Sequence, residues 1–135
     1  METVIVQINV DVNPTEDEEK VKKAISNILC NPTFTSKSAF QGYRLKATAK
    51  GQASLTNFRS LLRNDRICDA ARKILYRAMS DDKISFYLNK QVAYVGHISF
   101  SEERAESPLG PIHVVIETVA PKQLIDWLAE KTEKK

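Results

Sequence analysis

SLTNFRSLLRNDRICDAARKILYRAMSDDKISFYLNKQVAYVGHISF, residues 54–100, is the stretch on which the fold turns. Its first half repeats apolar side chains at helical spacing. Leu55, Phe58, Leu61 and Leu62 make one stripe; Ile67, Ala71, Ile74 and Ala78 make a second, widened by Ala70 and Leu75. This spacing predicts helices over 55–63 and 67–79, parted at Asn64-Asp65, with Ser54 and Asp65 as their N-caps. The second half changes period. Residues 84–88 and 92–100 read as two strands joined by a tight turn at Asn89-Lys90, with Gly96 marking a bulge or a close backbone approach.

Outward from that stretch the patterns stay short and regular. In residues 3–12, Val4, Val6, Ile8, Val10 and Val12 alternate with Gln7, Asn9 and Asp11, the signature of a half-buried strand. Thr15 and Glu18 have the spacing of a capping box for a helix whose apolar face is Val21, Ala24, Ile25, Ile28 and Leu29. Asn31-Pro32 ends that helix, and residues 33–42 read as a Ser/Thr-rich loop whose Phe34 and Phe40 tuck back onto the core. A second strand over 43–50 turns Tyr43, Leu45, Ala47 and Ala49 inward and Arg44, Lys46, Thr48 and Lys50 outward. A charged loop over 101–111, a strand over 112–118 and a terminal helix opened by Pro121 complete the chain. The expected order is β-α-β-α-α-β-β-β-α. It describes a single α+β domain over residues 1–135: a two-layer sandwich, mostly antiparallel, with helices on one face of the sheet.

Composition narrows the function classes. No apolar run approaches the roughly 20 residues of a membrane helix, and no signal segment follows Met1, so the expected location is the cytoplasm. Cys30 and Cys68 lack metal-site spacing and read as buried thiols, with no disulfide. His97 and His113 fall on the outer side of expected strands, and Glu117 lies too far along from His113 to share an ion with it. No catalytic or phosphate-loop motif is present, so neither an enzyme nor a cofactor is expected. Charge is unevenly spread: residues 44–90 carry 11 Lys/Arg against 4 Asp/Glu, whereas both flanks are net acidic. A block of this kind fits either the footprint of a polyanion partner or a solvated surface that faces the acidic ends of the same molecule. The candidate phosphate contacts are Arg44, Lys46 and Lys50 from the strand and Arg59, Arg63 and Arg66 from the helices, with Tyr76 and Tyr87 as candidates for base stacking.

Three segments in order, RICDAARKIL at 66–75, FYLNKQVA at 86–93 with Gly96, and SPLGPI at 107–112, resemble an archaeal family, uncharacterised protein family 0201, that carries an RNA-binding description. The resemblance implies a fold like ribosomal protein L five and a ribosomal or otherwise structured RNA as partner. It singles out Asp69, Arg72, Asn89, Lys90, Gln91, Gly96 and Gly110, and so adds Arg72 and Lys90 to the candidate contacts. The competing expectation is a protein–protein or homodimerisation module that uses the free sheet face.

Overall fold

The computed structural model describes residues 4–38, 42–101 and 111–130. Phe40 and residues 107–110 of the motif, Gly110 among them, lie outside these. The architecture is α+β, built on a six-stranded antiparallel sheet of order β2-β3-β1-β6-β4-β5. The strands are β1 (Val4–Val12), β2 (Thr33–Ser38), β3 (Tyr43–Lys50), β4 (Lys83–Leu88), β5 (Phe100–Ser101) and β6 (Ile112–Thr118). The helices are α1 (Glu18–Ile28), α2 (Thr56–Asn64), α3 (Cys68–Arg77), α4 (Lys90–Tyr94) and α5 (Pro121–Leu128), with a 3-10 turn (Gln52–Leu55) before α2.

The strict alternation in β1 and β6 puts every second side chain into one core. Val4, Val6, Ile8, Val10 and Val12 are buried beside Ile112, Val114 and Ile116, while the residues between them are half-covered or, at Asp11, exposed. The helices close over that inner face with Val21, Ala24, Ile25 and Ile28 of α1, Phe58 and Leu62 of α2, Ala71 and Leu75 of α3, and Leu124, Ile125 and Leu128 of α5. Phe58 stacks on Phe86 with ring centroids 5.7 Å apart, which seats α2 on β4. No described helix covers the opposite, outer face.

Two elements differ from the sequence reading. Residues 33–38 form an edge strand rather than a loop: Thr33, Thr35 and Lys37 face outward in register with Thr48, Lys46 and Arg44, and Phe34 packs against the core. The polar outer residues hid the period of two. Residues 90–94 form a helix rather than the start of a strand, because Asn89 acts as an N-cap: its side chain accepts from the Val92 N–H at 2.9 Å. Gly96, at φ 86, ends the helix in the left-handed region instead of bulging a strand. His97 therefore sits on a loop, and of the expected strand only Phe100 remains, in the two-residue β5 with Ser101.

Three caps also move. Asp17, not Thr15, caps α1 by accepting from Glu19 N–H. Ser54 donates to the Gly51 carbonyl inside the 3-10 turn. Asp65 follows α2 and spends its carboxylate on the loop after α4, accepting from Ile98 N–H at 3.0 Å and meeting His97 Nδ1 at 2.9 Å. Cys30 and Cys68 are free thiols and half-buried. Burial pushes the Cys68 thiol up from its ordinary pKa, with nearby Asp69 and Glu130 adding to the rise against Arg63 and Arg59.

Candidate nucleic-acid interface

Antiparallel register places side chains from adjacent strands in rows across the outer face. One row runs Thr35, Lys46, Asn9, His113, Tyr87 and Ser101; the next runs Thr33, Thr48, Gln7, Val115 and Ser85. Lys37, Arg44 and Asp11 line up on one side of these rows, and Lys50, Ile5, Glu117 and Lys83 on the other. The β3 cations expected to face outward do so: Arg44, Lys46 and Lys50 are all exposed. Arg44 Nε donates to Asp11 Oδ1 at 3.1 Å, but both side chains are 60% exposed, so this pair contributes little and is easily exchanged for another anion. Lys37, Lys46 and Lys50 form no ion pair with a described residue.

Across the sheet from these cations is an aromatic pair. Tyr87 and His113 stack with ring centroids 4.4 Å apart and planes 11° from parallel, and the Ser85 hydroxyl lies 2.8 Å from His113 Nε2. Sequence reading singled out Tyr87 as a stacking candidate but missed its partner. It also missed Lys37, which the period of two in Thr33, Thr35 and Lys37 would have found.

The helix-side candidates have different fates. Because Leu45, Ala47 and Ala49 turn toward the helices, Arg44, Lys46 and Lys50 point away from them, and the strand and helix cations do not converge on one patch. Arg59 lies over the Trp127 ring, donates to the Trp127 carbonyl at 2.8 Å and pairs with Glu130 at 3.0 Å. Arg72 pairs with Asp126 at 2.7 Å, donates to the Ala129 carbonyl at 3.4 Å and packs on Tyr76. Both arginines thus satisfy open carbonyls at the end of α5 and fasten it down. Tyr76 belongs to the same clamp, its hydroxyl donating to Asp126 at 2.9 Å. Burial and this bond to a carboxylate raise the phenol above its ordinary pKa against the opposing charge of Arg72. Arg63 and Arg66 are exposed where α2 turns into α3, Arg66 at φ 57, and neither makes an ion pair with a described residue.

Lys90 is the one candidate that is not on the surface. It is 5% exposed, and its ammonium donates to the Asp11 carbonyl at 2.8 Å and to both Glu16 oxygens at 3.0 and 3.1 Å. It joins the end of β1 to α4 and is unavailable to a phosphate. No local pattern signals this, since its partner Glu16 stands far away in the chain among acids that look like a helix first turn.

Among the described residues, no three His, Cys, Asp or Glu side chains are grouped to hold a metal ion, and no helix is long and apolar enough to cross a membrane.

The outer sheet face, which no described helix covers, thus carries a row of cations and an aromatic pair, and comparison with known proteins places the chain in a family. Residues 5–118 match a family model described as RNA binding. The chain belongs to this family, and the relatives it matches over nearly their whole length are archaeal UPF0201 proteins. One from Sulfurisphaera tokodaii is 46% identical, the match covering 94% of this chain and 88% of the relative. The crystal structure of a UPF0201 protein from Methanococcus jannaschii superposes with a TM-score of 0.82 at 34% identity, covering 93% of this chain and 98% of that one. Another UPF0201 crystal structure gives a TM-score of 0.80 at 31% identity, covering 97% of both chains.

Proposed function

We propose that this chain acts as one cytoplasmic, non-enzymatic RNA-binding domain. Arg44, Lys46 and Lys50 on the outer sheet face engage the phosphate backbone, and Arg63 and Arg66 form a second, separate contact. The observation that carries the reading is the outer side of β3: exposed cations at three of its four outward positions, on a face no described helix covers, two of them without an ion pair to a described residue. Phosphate binding needs positive charge spread along an accessible surface, and the long reach of Lys and Arg meets that need without a pocket. The family description supports RNA over a self-association module on the same face. Within this reading a ribosomal or otherwise structured RNA is the target, as the family resemblance implies. Arg59 and Arg72 hold α5, and Lys90 holds α4; none is assigned to RNA.

The test is retention of total cellular RNA by the purified protein at about 50 mM and about 200 mM salt. The three sheet cations alone, at about 0.7 per phosphate, give a log–log slope near −2 and a fall of about 20-fold over that range; with Arg63 and Arg66 also engaged the slope approaches about −3.5 and the fall about 130-fold. No retention at the lower salt, or retention that salt does not weaken, defeats the reading.

A further inference from the structure

We infer that the RNA form bound is single-stranded, a loop or an end of a structured molecule, lying across the outer face with a base on the Tyr87–His113 stack and its phosphates on the β3 cations. This rests on the RNA reading above and adds the form of nucleic acid and the stacking site.

The distribution of charge on the face carries the argument. A duplex offers its phosphates outward and keeps its bases stacked inside, so a duplex-binding surface needs charge along its whole length. Here the cations keep to the β2–β3 edge and to Lys83. The middle of the face is uncharged: Asn9 and Gln7 of β1, Thr48 of β3 and Ser85 of β4 are polar, Val115 of β6 lies between Gln7 and Ser85, and Glu117 stands in the outer row beside Lys83. Amides and hydroxyls of this kind suit the exposed edges of unpaired bases. The spacing also fits. Lys46 and His113 share one row, two strands apart, or about 10 Å between backbones. With the reach of the lysine side chain, one nucleotide spans that distance. Asn9 stands between them, where its amide meets the edge of a base resting on the His113 end of the stack.

The pair is suited to this role because it is already ordered. The rings are nearly parallel, and the Ser85 hydroxyl beside His113 Nε2 holds the imidazole in place, so a base extends an existing stack and little side-chain freedom is lost. Stacking is tolerant of base identity, so weak sequence preference is expected.

The experiment measures binding of a fluorescent ten-nucleotide single-stranded RNA of mixed sequence, and of the same sequence as a blunt duplex. The single strand should bind at least tenfold more tightly. Tyr87→Leu and His113→Leu should each weaken single-strand binding about 5- to 100-fold without altering the salt slope, and Tyr87→Phe should restore it. Lys46→Gln with Lys50→Gln should instead lower the slope by about 1.4. Photocrosslinking of the unaltered protein to the same strand carrying 5-iodouridine gives a readout independent of any variant's folding, and His113, the ring on which the base rests, should be a crosslinked residue. If RNA binds and the lysine variant lowers the slope, but duplex and single strand bind alike, the Leu variants bind normally or the crosslink falls only elsewhere, then the stacking site is wrong and the phosphate reading stands. If neither RNA form binds, both readings fall together.

Discussion

Replacing Lys90 with methionine should destabilise the protein by about 3 kcal/mol. The side chain is 5% exposed and its partner Glu16 10% exposed, so the substitution leaves a carboxylate buried without its counter-charge. Breaking a buried pair from one side costs about 3–5 kcal/mol. The lower end applies here because Asn13 N and Asn13 Nδ2 both donate to Glu16 Oε1 at 3.0 Å and keep part of the carboxylate satisfied. With an m value of about 1–3 kcal/mol/M, the urea midpoint followed by circular dichroism should fall by on the order of 2 M with m unchanged. Adding Glu16→Leu should recover much of the loss, because the charge left stranded is then gone, although Asn13 loses its acceptor at a cost of about 1 kcal/mol. RNA affinity per folded molecule should not change in the single variant, since Lys90 faces Glu16 and not solvent. A single variant within about 1 kcal/mol of the parent, or a double variant no more stable than the single, would refute the view that this pair is buried and mutually dependent.

Asn89→Ala should cost about 1 kcal/mol and speed hydrogen exchange at Val92 N–H, which donates to the Asn89 side chain. Asp65→Asn should lower stability at neutral pH and flatten its acid dependence. Burial alone would raise the Asp65 carboxyl, but the Ile98 N–H bond, the His97 bond and the His97 charge outweigh it and hold it below the ordinary value. Its contribution is therefore present above the unfolded carboxylate pKa and is lost as pH falls through the lower folded value, so the two proteins should converge in stability under acid denaturation. Gly42→Ala and Gly51→Ala separate strain from clash. Both glycines have positive φ, 80 and 92, but a Cβ at Gly42 would lie 2.0 Å from the Val12 carbonyl oxygen, whereas nothing lies within 4 Å at Gly51. Thermal melts should show a loss of about 1–2 kcal/mol at Gly51 and a far larger one at Gly42.

The strands legible in the sequence were those with one fully buried face. In β1, β3 and β6 the apolar residues repeat every second position, and Leu45, Ala47 and Ala49 are buried while their neighbours are not. The edge strand β2 escaped because hydrogen bonding to β3, not burial, makes it a strand, and only Phe34 signals a core face. The helix α4 escaped because five residues are too few to show a period of 3.6, and an Asn that suits a tight turn equally suits an N-cap. At the candidate site, the local pattern correctly turned Arg44, Lys46 and Lys50 outward. It did not show which helix cations were already engaged, since Arg59, Arg72 and Lys90 meet Glu130, Asp126 and Glu16 only through the folded chain. Composition shows that a basic block exists; tertiary contacts decide how much of it remains available.

The central claim is that RNA phosphates bind the outer sheet face. Its most direct measurement is the salt slope of affinity for one structured RNA in the parent protein and in Lys46→Glu with Lys50→Glu. A slope shallower by about 1.4, with weaker binding at every salt concentration, is the predicted result. Unchanged slope and affinity in that variant would contradict it.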